Sequence, residues 1–258
     1  MIDHVIGNRL LANLPVEVIS TLRPHLREAS YKPGMVLQTA GEPIEHAFFP
    51  QSGLISVHIG SDACSEVNVA AVGREGGVGL RAAIGLTVAL NTAIMQVAGS
   101  VVRITIDQFR SVVESHDALR DLVIRYNEAF MIEVQQTAAC NALHSVEHRL
   151  CRWLLHMHDR AERDLIPLTQ QLLSNMLGVQ RPTVTLAARR LQSAGLIRYR
   201  WGTVEILNRR GIEEAACGCY AAVRSRTAHI GLEPQRPNPM RRLSGGGNVP
   251  TRQYQPHT

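Results

Sequence analysis

The stretch that decides the fold runs from Thr169 to Ile206 and reads TQQLLSNMLGVQRPTVTLAARRLQSAGLIRYRWGTVEI. Thr169 is a good N-cap for a short first helix, and Gly178 ends that helix at a tight turn. Pro182 then stands in the first turn of a second helix, where proline is preferred, and Gly195 stops this helix. Two helices joined by a glycine-containing turn predict a helix-turn-helix.

A β-hairpin is expected directly after the second helix. The runs Ile197–Arg200 and Thr203–Leu207 flank Trp201 and Gly202, a spacing typical of a tight hairpin. The whole stretch therefore predicts a winged helix-turn-helix.

This predicted module suits double-stranded DNA. Arg181 lies at the start of the second helix and has the reach to bind guanine in the major groove through two hydrogen bonds. The predicted DNA-contacting residues are Thr169, Gln171, Gln180, Arg181, Thr183, Thr185, Arg189 and Arg200. The alternative is a structural winged helix that contacts another protein.

The distribution of charge favours DNA over that alternative. Residues 146–210 contain 11 basic and 5 acidic side chains, whereas residues 1–145 contain 10 basic and 14 acidic ones. An acidic body joined to a basic module is typical of a sensor that carries a nucleic-acid-binding part.

Upstream of the basic module, residues 106–143 contain neither proline nor glycine. Apolar residues recur there at intervals of three and four, which predicts one long amphipathic helix or a shorter helix ahead of Asp117 followed by a long one. Because a small barrel would not cover so long a helix, a second copy of the chain is the expected partner, which makes the protein a homodimer. The predicted seam consists of Leu119, Leu122, Val123, Tyr126, Phe130 and Val134. The alternative is a helix packed on its own domain.

The N-terminal part of the chain predicts a short helical segment at Asn8–Leu26 and then a β domain. Residues 29–105 alternate short β-type runs with turn signals, a pattern typical of a small antiparallel barrel or jelly roll. The predicted strands are Val36–Leu37, Ala47–Pro50, Leu54–Ile59 and Val67–Val72. The expected fold class is α+β. The expected domains are a β-roll sensor domain at 1–116, a dimerisation helix and hinge at 117–145, a winged helix-turn-helix domain at 146–225 and a disordered, Pro- and Gly-rich tail at 226–258.

Several classes of protein are disfavoured. The chain has no run of 18 apolar residues and no secretory signal, and its five cysteines are scattered, so a reducing cytoplasm is the expected location and no membrane partner is expected. It also lacks the GxSxG, P-loop, HExxH and dinucleotide-binding motifs, so an enzyme is not expected.

The segments Thr169–Val184 and Leu191–Ile197, together with the order of the parts, resemble the Crp/Fnr superfamily over about residues 8–225. The resemblance implies a cyclic-nucleotide-binding-like sensor domain, a homodimer on an inverted repeat of DNA, and RNA polymerase as a partner. It also implies that Arg181 reads a base and that Thr169, Gln171, Gln180 and Thr183 contact the DNA backbone. Pro182 and Leu186 stand where the family often has Glu and Arg, which implies a different target sequence.

The same resemblance bears on the effector. Family members that bind a cyclic nucleotide hold its ribose with a Gly-Glu pair and its phosphate with an Arg that precedes Ser or Thr. Here Leu80 stands in place of that Glu and Asn91 in place of that Arg. A buried phosphate without its cation is costly, so cyclic AMP is not the expected effector. The candidate pocket residues for an unidentified small-molecule or redox effector are Arg74, Arg81, Asn91 and Thr92.

The remaining candidate ligands are cysteines and histidines. Cys140, His144 and His148 are spaced to share one helix face, with Cys151 nearby, but a packed thiol with hinge histidines is the simpler interpretation. Cys217 and Cys219 form a C-x-C pair without a second pair at zinc spacing, so a redox role stays open while no metal and no cofactor are predicted. Iron–sulfur ligation would need a cysteine cluster, and haem ligation would have to come from residues such as His46, His58 or Cys64.

Overall fold

The computed structural model describes residues 7–60, 67–161 and 164–229. The chain divides into two compact units, and the boundary between them falls between Gln135 and Gln136. The helices are α1 Arg9–Ala12, α2 Val16–Leu22, α3 Ile106–Ser115, α4 Asp117–Leu143, α5 Val146–Ala161, α6 Gln170–Leu177, α7 Arg181–Ser193, α8 Arg209–Ala215 and α9 Cys219–His229. The strands are β1 Arg27–Tyr31, β2 Val36–Gln38, β3 His46–Pro50, β4 Leu54–Ile59, β5 Val67–Val72, β6 Thr92–Val97, β7 Gly99–Thr105, β8 Leu165–Pro167, β9 Ile197–Arg200 and β10 Thr203–Ile206.

The first unit is built on two antiparallel sheets, with strand orders β1-β7-β3 and β2-β6-β4-β5. Buried side chains from both sheets share one core, including Phe48 of β3, Ile55 of β4 and Met95 of β6. The expected β domain is thus confirmed. The sequence pattern indicated β2 to β5 and missed β1, β6 and β7, in which polar residues interrupt the apolar runs.

Helices cover one end of this β domain and form a second core with it. Phe109 of α3 packs edge-on against Phe49 of β3, with ring centroids 5.7 Å apart. The first half of α4 adds Leu119, Leu122 and Val123 to the same core. A side chain at Gly76 would overlap the Tyr126 ring, because its Cβ would lie 2.2 Å from the Tyr126 hydroxyl.

Each of the two helical segments predicted before the winged helix-turn-helix forms more than one helix. The N-terminal segment forms α1, α2 and a turn of 3-10 helix at Arg23–His25, with Pro15 preceding α2 and Pro24 within the 3-10 turn. Residues 106–143 form α3 and α4 rather than one helix, since His116 has the extended angles φ −138° and ψ 103°. This outcome matches the shorter-helix alternative considered for the sequence.

Helix α5 is the central helix of the second unit, and its residues Arg149 to His158 are all buried. Helices α6, α7 and α8 contact α5, and β8, β10 and β9 form a three-stranded antiparallel sheet. Strand β8 was not predicted from sequence. Helix α9 continues to His229, so the predicted boundary at residue 225 falls within a helix, and residues 230–258 of the predicted tail lie outside the described residues.

Among the described residues, no helix combines the length and the apolar character that crossing a membrane requires.

Candidate functional site

The helix-turn-helix is closed by local hydrogen bonds. The Thr169 hydroxyl oxygen accepts the Leu172 N–H at 3.2 Å, which caps the start of α6. Gly178 ends α6 with φ +60°, and its N–H donates to the Ser174 carbonyl. Helix α7 then begins at Arg181, so the helix limits expected from the sequence agree with the structure.

The start of α7 presents a polar surface. Gln180, Arg181 and Thr183 are exposed, while Val184 beneath them is fully buried. Arg181 Nε donates to Gln171 Oε1 at 2.6 Å, so these two predicted DNA-contacting side chains lie side by side. Their hydrogen bond holds the guanidinium on the outer surface of α7, with the other guanidinium nitrogens available to a ligand.

Three other arginines of the module differ in their surroundings. Arg190 forms an ion pair with Glu147 of α5, and Arg198 pairs with Glu205 across the hairpin at 2.6 Å. Both therefore have a structural partner. Arg189 on α7 is exposed.

The predicted wing is present as β9 and β10. Trp201 and Gly202 both have positive φ, 50° and 71°, as the two central residues of a tight hairpin turn of type I′ do. Arg200 is exposed beside Trp201, whose side chain is wholly exposed. The turn thus places a cation and an aromatic ring at the tip of the hairpin.

Two of the predicted DNA-contacting threonines are engaged within the protein. Thr185 is half-buried, and its hydroxyl donates to the Arg181 carbonyl at 3.0 Å. The Thr169 hydroxyl serves as the cap described above. Because the Thr169 hydroxyl accepts in its capping bond, its O–H can still donate to a phosphate oxygen, whereas the Thr185 O–H would have to give up or share its bond to the Arg181 carbonyl.

The predicted dimer seam requires a correction. Leu119, Leu122, Val123 and Tyr126 are no more than 8% exposed in the single chain, because they pack in the core of the first unit. Phe130 and Val134 pack against the core between the two sheets. The first unit therefore covers four of the six predicted seam residues, whereas Phe130 and Val134 stay half-buried and their place in a seam remains a prediction.

A different face of α4 is open to solvent. Ile124 is 44% exposed and Met131 is 43% exposed, and Ala138 is also exposed one heptad further on. Ile124 lies two residues before Tyr126, about 200° around the helix. Helix α4 therefore carries a second, exposed stripe at intervals of seven residues.

A cavity in the first unit lies where the sensor pocket was expected. Leu80, Arg81 and Asn91 line it, as do Tyr126 and Phe130 of α4. The Asn91 side-chain oxygen accepts a hydrogen bond from Gln38 Nε2 at 2.9 Å, and the 2% exposed Leu80 fills the position at which an acidic residue was expected.

Two of the four candidate pocket residues line this cavity and two do not. Arg81 and Asn91 line the cavity. Arg74 and Thr92 are not among its lining residues: Arg74 Nε donates to the Gly7 carbonyl at 2.7 Å, and the Thr92 hydroxyl accepts the Ala40 N–H at 3.3 Å. Arg74 and Thr92 therefore do not line this cavity, and their assignment to an effector pocket remains a prediction.

A cluster of thiols in the second unit was not expected. Cys140 and His144, at the end of α4, meet Cys217 and Cys219, at the start of α9, and the four ligand atoms lie within 4.8 Å of one another. The C-x-C pair therefore has partners, contrary to the interpretation of its sequence spacing. The fold supplies them from a segment more than 70 residues earlier, which no local spacing reveals.

The surroundings shift the pKa of Cys140, in the cluster, and the pKa of Cys151, outside it, in opposite directions. A hydrogen bond from the Cys217 thiol lowers the pKa of Cys140, and the charge of Arg152 acts in the same direction. Burial raises the pKa of Cys151 to about 12, so this thiol stays protonated. Neither Cys151 nor His148 belongs to the group of four.

The residues considered for haem are dispersed. His46 is on β3 and His58 is on β4, in different sheets, and Cys64 lies outside the described residues. His58 Nε2 is 2.7 Å from the Ser56 hydroxyl, which gives this ring a structural partner.

Family models match both units. Residues 28–116 match the cyclic nucleotide-binding domain, and residues 148–215 match the Crp-like helix-turn-helix domain. A search of curated proteins returned no match to this sequence.

Solved structures with the same fold include three bacterial proteins. FixK2 from Bradyrhizobium japonicum has a TM-score of 0.65 at 15% identity, with 74% of this chain and 98% of that chain covered. A transcriptional regulator of the Crp/Fnr family from Eubacterium rectale has a TM-score of 0.62 at 16% identity, with coverages of 81% and 98%. The c-di-GMP-responsive global regulator CLP from Xanthomonas campestris has a TM-score of 0.60 at 17% identity, with coverages of 75% and 100%.

Proposed function

Because this chain belongs to the Crp/Fnr family of transcription regulators, with a cyclic nucleotide-binding domain and a Crp-like helix-turn-helix domain, we propose that it binds an inverted-repeat operator as a homodimer. It would act in the cytoplasm, together with RNA polymerase, under the control of an effector other than cyclic AMP. The observation that carries the proposal is the exposed start of α7, where Arg181 and Gln171 form one polar surface.

The chemistry of that surface supports base recognition. A recognition helix lies in the major groove with its N-terminal residues facing the base edges. Arg181 is the first residue of α7, and its guanidinium can donate two hydrogen bonds to O6 and N7 of guanine. Gln171 holds Arg181 through Nε, which leaves the terminal nitrogens for the base.

The second DNA contact is assigned to the wing. Arg200 stands at the end of β9 beside the wholly exposed Trp201. In this position the guanidinium would face the phosphate backbone next to the groove that α7 enters. Phosphate contacts orient the protein but carry no information on sequence, so Arg200 is assigned to affinity and Arg181 to specificity.

The second stripe of α4 supports the homodimer. Ile124, Met131 and Ala138 recur at intervals of seven on the face that the β domain leaves open. A heptad repeat is the spacing at which two parallel helices pack together. Two recognition helices related by the dimer axis would then lie about 34 Å apart and enter successive major grooves.

The sensor cavity supports an effector different from cyclic AMP. No acidic side chain is among its lining residues, and Arg81 is the one cation among them. A cyclic nucleotide bound there would bury its phosphate next to Asn91, whose side chain is already hydrogen-bonded to Gln38. Arg81 is exposed, so a phosphate buried beside Asn91 would have no cation next to it, at a cost on the order of 3–5 kcal/mol.

Two arginine substitutions test the DNA assignment. Arg181→Ala should cost about 1–3 kcal/mol per half-site and relax the preference at one symmetric guanine position. Arg200→Ala should weaken binding to all sequences about equally and reduce the salt slope by about 1. The measurement is binding to operators with single-base changes at several salt concentrations, on a site first selected from genomic fragments.

Arg210→Ala is the matched control, since it removes the same charge from an exposed position of α8. It should leave base preference intact. A uniform loss of affinity in Arg181→Ala, with its base preference kept, would make Arg181 a backbone contact. DNA binding unchanged in both test variants would contradict the proposed function.

A further inference from the structure

The cluster of Cys140, His144, Cys217 and Cys219 shares no residue with the surface assigned to DNA. Cys140 Sγ is 3.4 Å from Cys217 Sγ, and Cys219 Sγ is 3.6 Å from His144 Nδ1. The three cysteines are 0–7% exposed and His144 is half-buried. The four side chains therefore converge on one small, largely dry volume.

These separations fit one tetrahedral metal ion. Zinc binds thiolate sulfur at about 2.3 Å and imidazole nitrogen at about 2.0–2.1 Å. A tetrahedron with those bonds has sulfur–sulfur edges of about 3.8 Å and sulfur–nitrogen edges of about 3.6 Å. The Cys140–Cys217 and Cys219–His144 distances lie close to these values, and no ligand pair is more than 4.8 Å apart. An iron–sulfur cluster spreads its ligands over two or four iron atoms, so some of its ligand pairs would lie farther apart than this.

We propose that Cys140, His144, Cys217 and Cys219 bind one zinc ion, which fastens the start of α9 to the last turn of α4. Three thiolates and one imidazole are a standard ligand set for structural zinc, and soft thiolates favour zinc over the hard cations magnesium and calcium. Every ligand belongs to the second unit, so the site is complete within one chain.

Residues around the cluster fit this assignment. Gln136 Nε2 donates to Cys219 Sγ at 3.1 Å, and its Oε1 accepts from Arg226 Nη1 at 2.8 Å, so a fixed amide supports one ligand. Outer hydrogen bonds of this kind orient metal ligands and raise affinity.

The charge of the surroundings also fits. Zinc with three thiolates and a neutral imidazole carries a net charge of −1. Arg152, only 1% exposed, donates from Nη2 to Thr137 Oγ1, one helical turn before Cys140, and among the described residues its Nε has no hydrogen-bond partner. A buried cation is stabilised by a neighbouring anionic centre.

The test uses the full chain, purified anaerobically with a reductant that does not chelate metals. Elemental analysis should find one zinc ion per chain. Replacement by cobalt should give thiolate-to-cobalt charge-transfer bands and the visible bands of tetrahedral cobalt. Zinc added back to the chelated protein should raise its melting temperature.

Single substitutions then assign the ligands. Cys140→Ser and Cys217→Ser should lose stoichiometric zinc, whereas Cys151→Ser, a buried cysteine outside the group, should keep it. His144→Ala should weaken binding, and His148→Ala should not. Gln136→Leu should reduce zinc affinity by roughly tenfold, as expected of an outer-shell partner. Circular dichroism confirms the fold of each variant, and the cobalt spectrum of the unsubstituted chain provides a readout if a variant does not fold.

Three results would overturn the assignment. One is a reduced wild-type chain that contains no zinc and takes up none. Another is a folded Cys140→Ser or Cys217→Ser variant with full zinc content. The third is a Cys140–Cys217 disulfide in the metal-free, anaerobically purified chain. None of these results bears on DNA recognition by Arg181, so the two proposals fail separately.

Discussion

Helix α5 buries two arginine side chains, Arg149 and Arg152. Arg149 Nη2 donates to the Leu177 carbonyl at 2.9 Å, and Arg152 Nη2 donates to Thr137 Oγ1 at 3.0 Å. Arg149 therefore caps the end of α6, the first helix of the helix-turn-helix. Buried arginines are retained where they satisfy carbonyl groups at a helix end, which would otherwise remain unpaired.

His156 makes stability depend on pH. It is 5% exposed, its ring lies edge-on to the Trp153 and Tyr220 rings, and burial lowers its pKa well below 6.5, with a further contribution from Arg160. The folded chain thus keeps this imidazole neutral while the unfolded chain binds a proton near pH 6.5, so stability falls as pH drops below 6.5. The slope from one proton is at most about 1.4 kcal/mol per pH unit.

Urea unfolding at about pH 7.5 and about pH 5.5 measures this effect. His156→Phe keeps a ring of similar size and should flatten the loss of stability at acidic pH. His148→Gln, on the same helix, is the control and should retain the wild-type slope. An unchanged slope in His156→Phe would assign the acid sensitivity to other groups.

Helix α4 carries two apolar stripes, one buried and one exposed. Leu119, Leu122 and Tyr126 bury one stripe in the first unit, and Ile124 and Met131 expose the other. The periodicity of a helix identifies an apolar stripe but not the surface that covers it.

Substitutions on the two stripes should therefore have different effects. Ile124→Glu combined with Met131→Glu should give a folded monomer in sedimentation, because charges would face the partner helix. Phe130→Glu should instead destabilise the β domain, since Phe130 packs against its core. Ala118→Glu, an exposed position away from the Ile124 stripe, should stay dimeric. A dimeric Ile124→Glu, Met131→Glu chain would place the interface elsewhere.

The molecule as a whole joins a sensor unit to a DNA-binding unit through α4. Tyr126 and Phe130 of α4 line the sensor cavity, so an effector bound there would contact the helix that carries the proposed dimer surface. A ligand controls such a protein only through its different affinities for the two functional states.

Cyclic AMP should not be that ligand. Calorimetric titration of the full chain with cyclic AMP should give no saturable binding in the micromolar range, where 1 μM corresponds to about −8 kcal/mol, and adding cyclic AMP should not change the affinity for DNA. A micromolar dissociation constant would contradict the inference from Leu80 and Asn91. In that case Arg81→Ala decides whether Arg81, the cation lining the cavity, holds the phosphate.

Local physical chemistry alone was enough to predict the winged helix-turn-helix. Its capping threonine, its glycine turn and the start of α7 at Arg181 depend on residues close in sequence, and all three agree with the structure. The β domain was indicated by the same kind of signal, although strands with mixed polarity such as β1 and β7 were missed.

Contacts between distant segments could not be predicted in this way. The covering of the Leu119–Tyr126 stripe depends on packing against the β domain, and the meeting of Cys140 with Cys217 joins residues 77 positions apart. Helical period and residue spacing describe one segment at a time, whereas burial and ligand geometry are properties of several segments together. In the same way, Arg81 and Asn91 line the sensor cavity and Arg74 does not, because Arg74 is hydrogen-bonded to the carbonyl of Gly7, a residue distant in sequence.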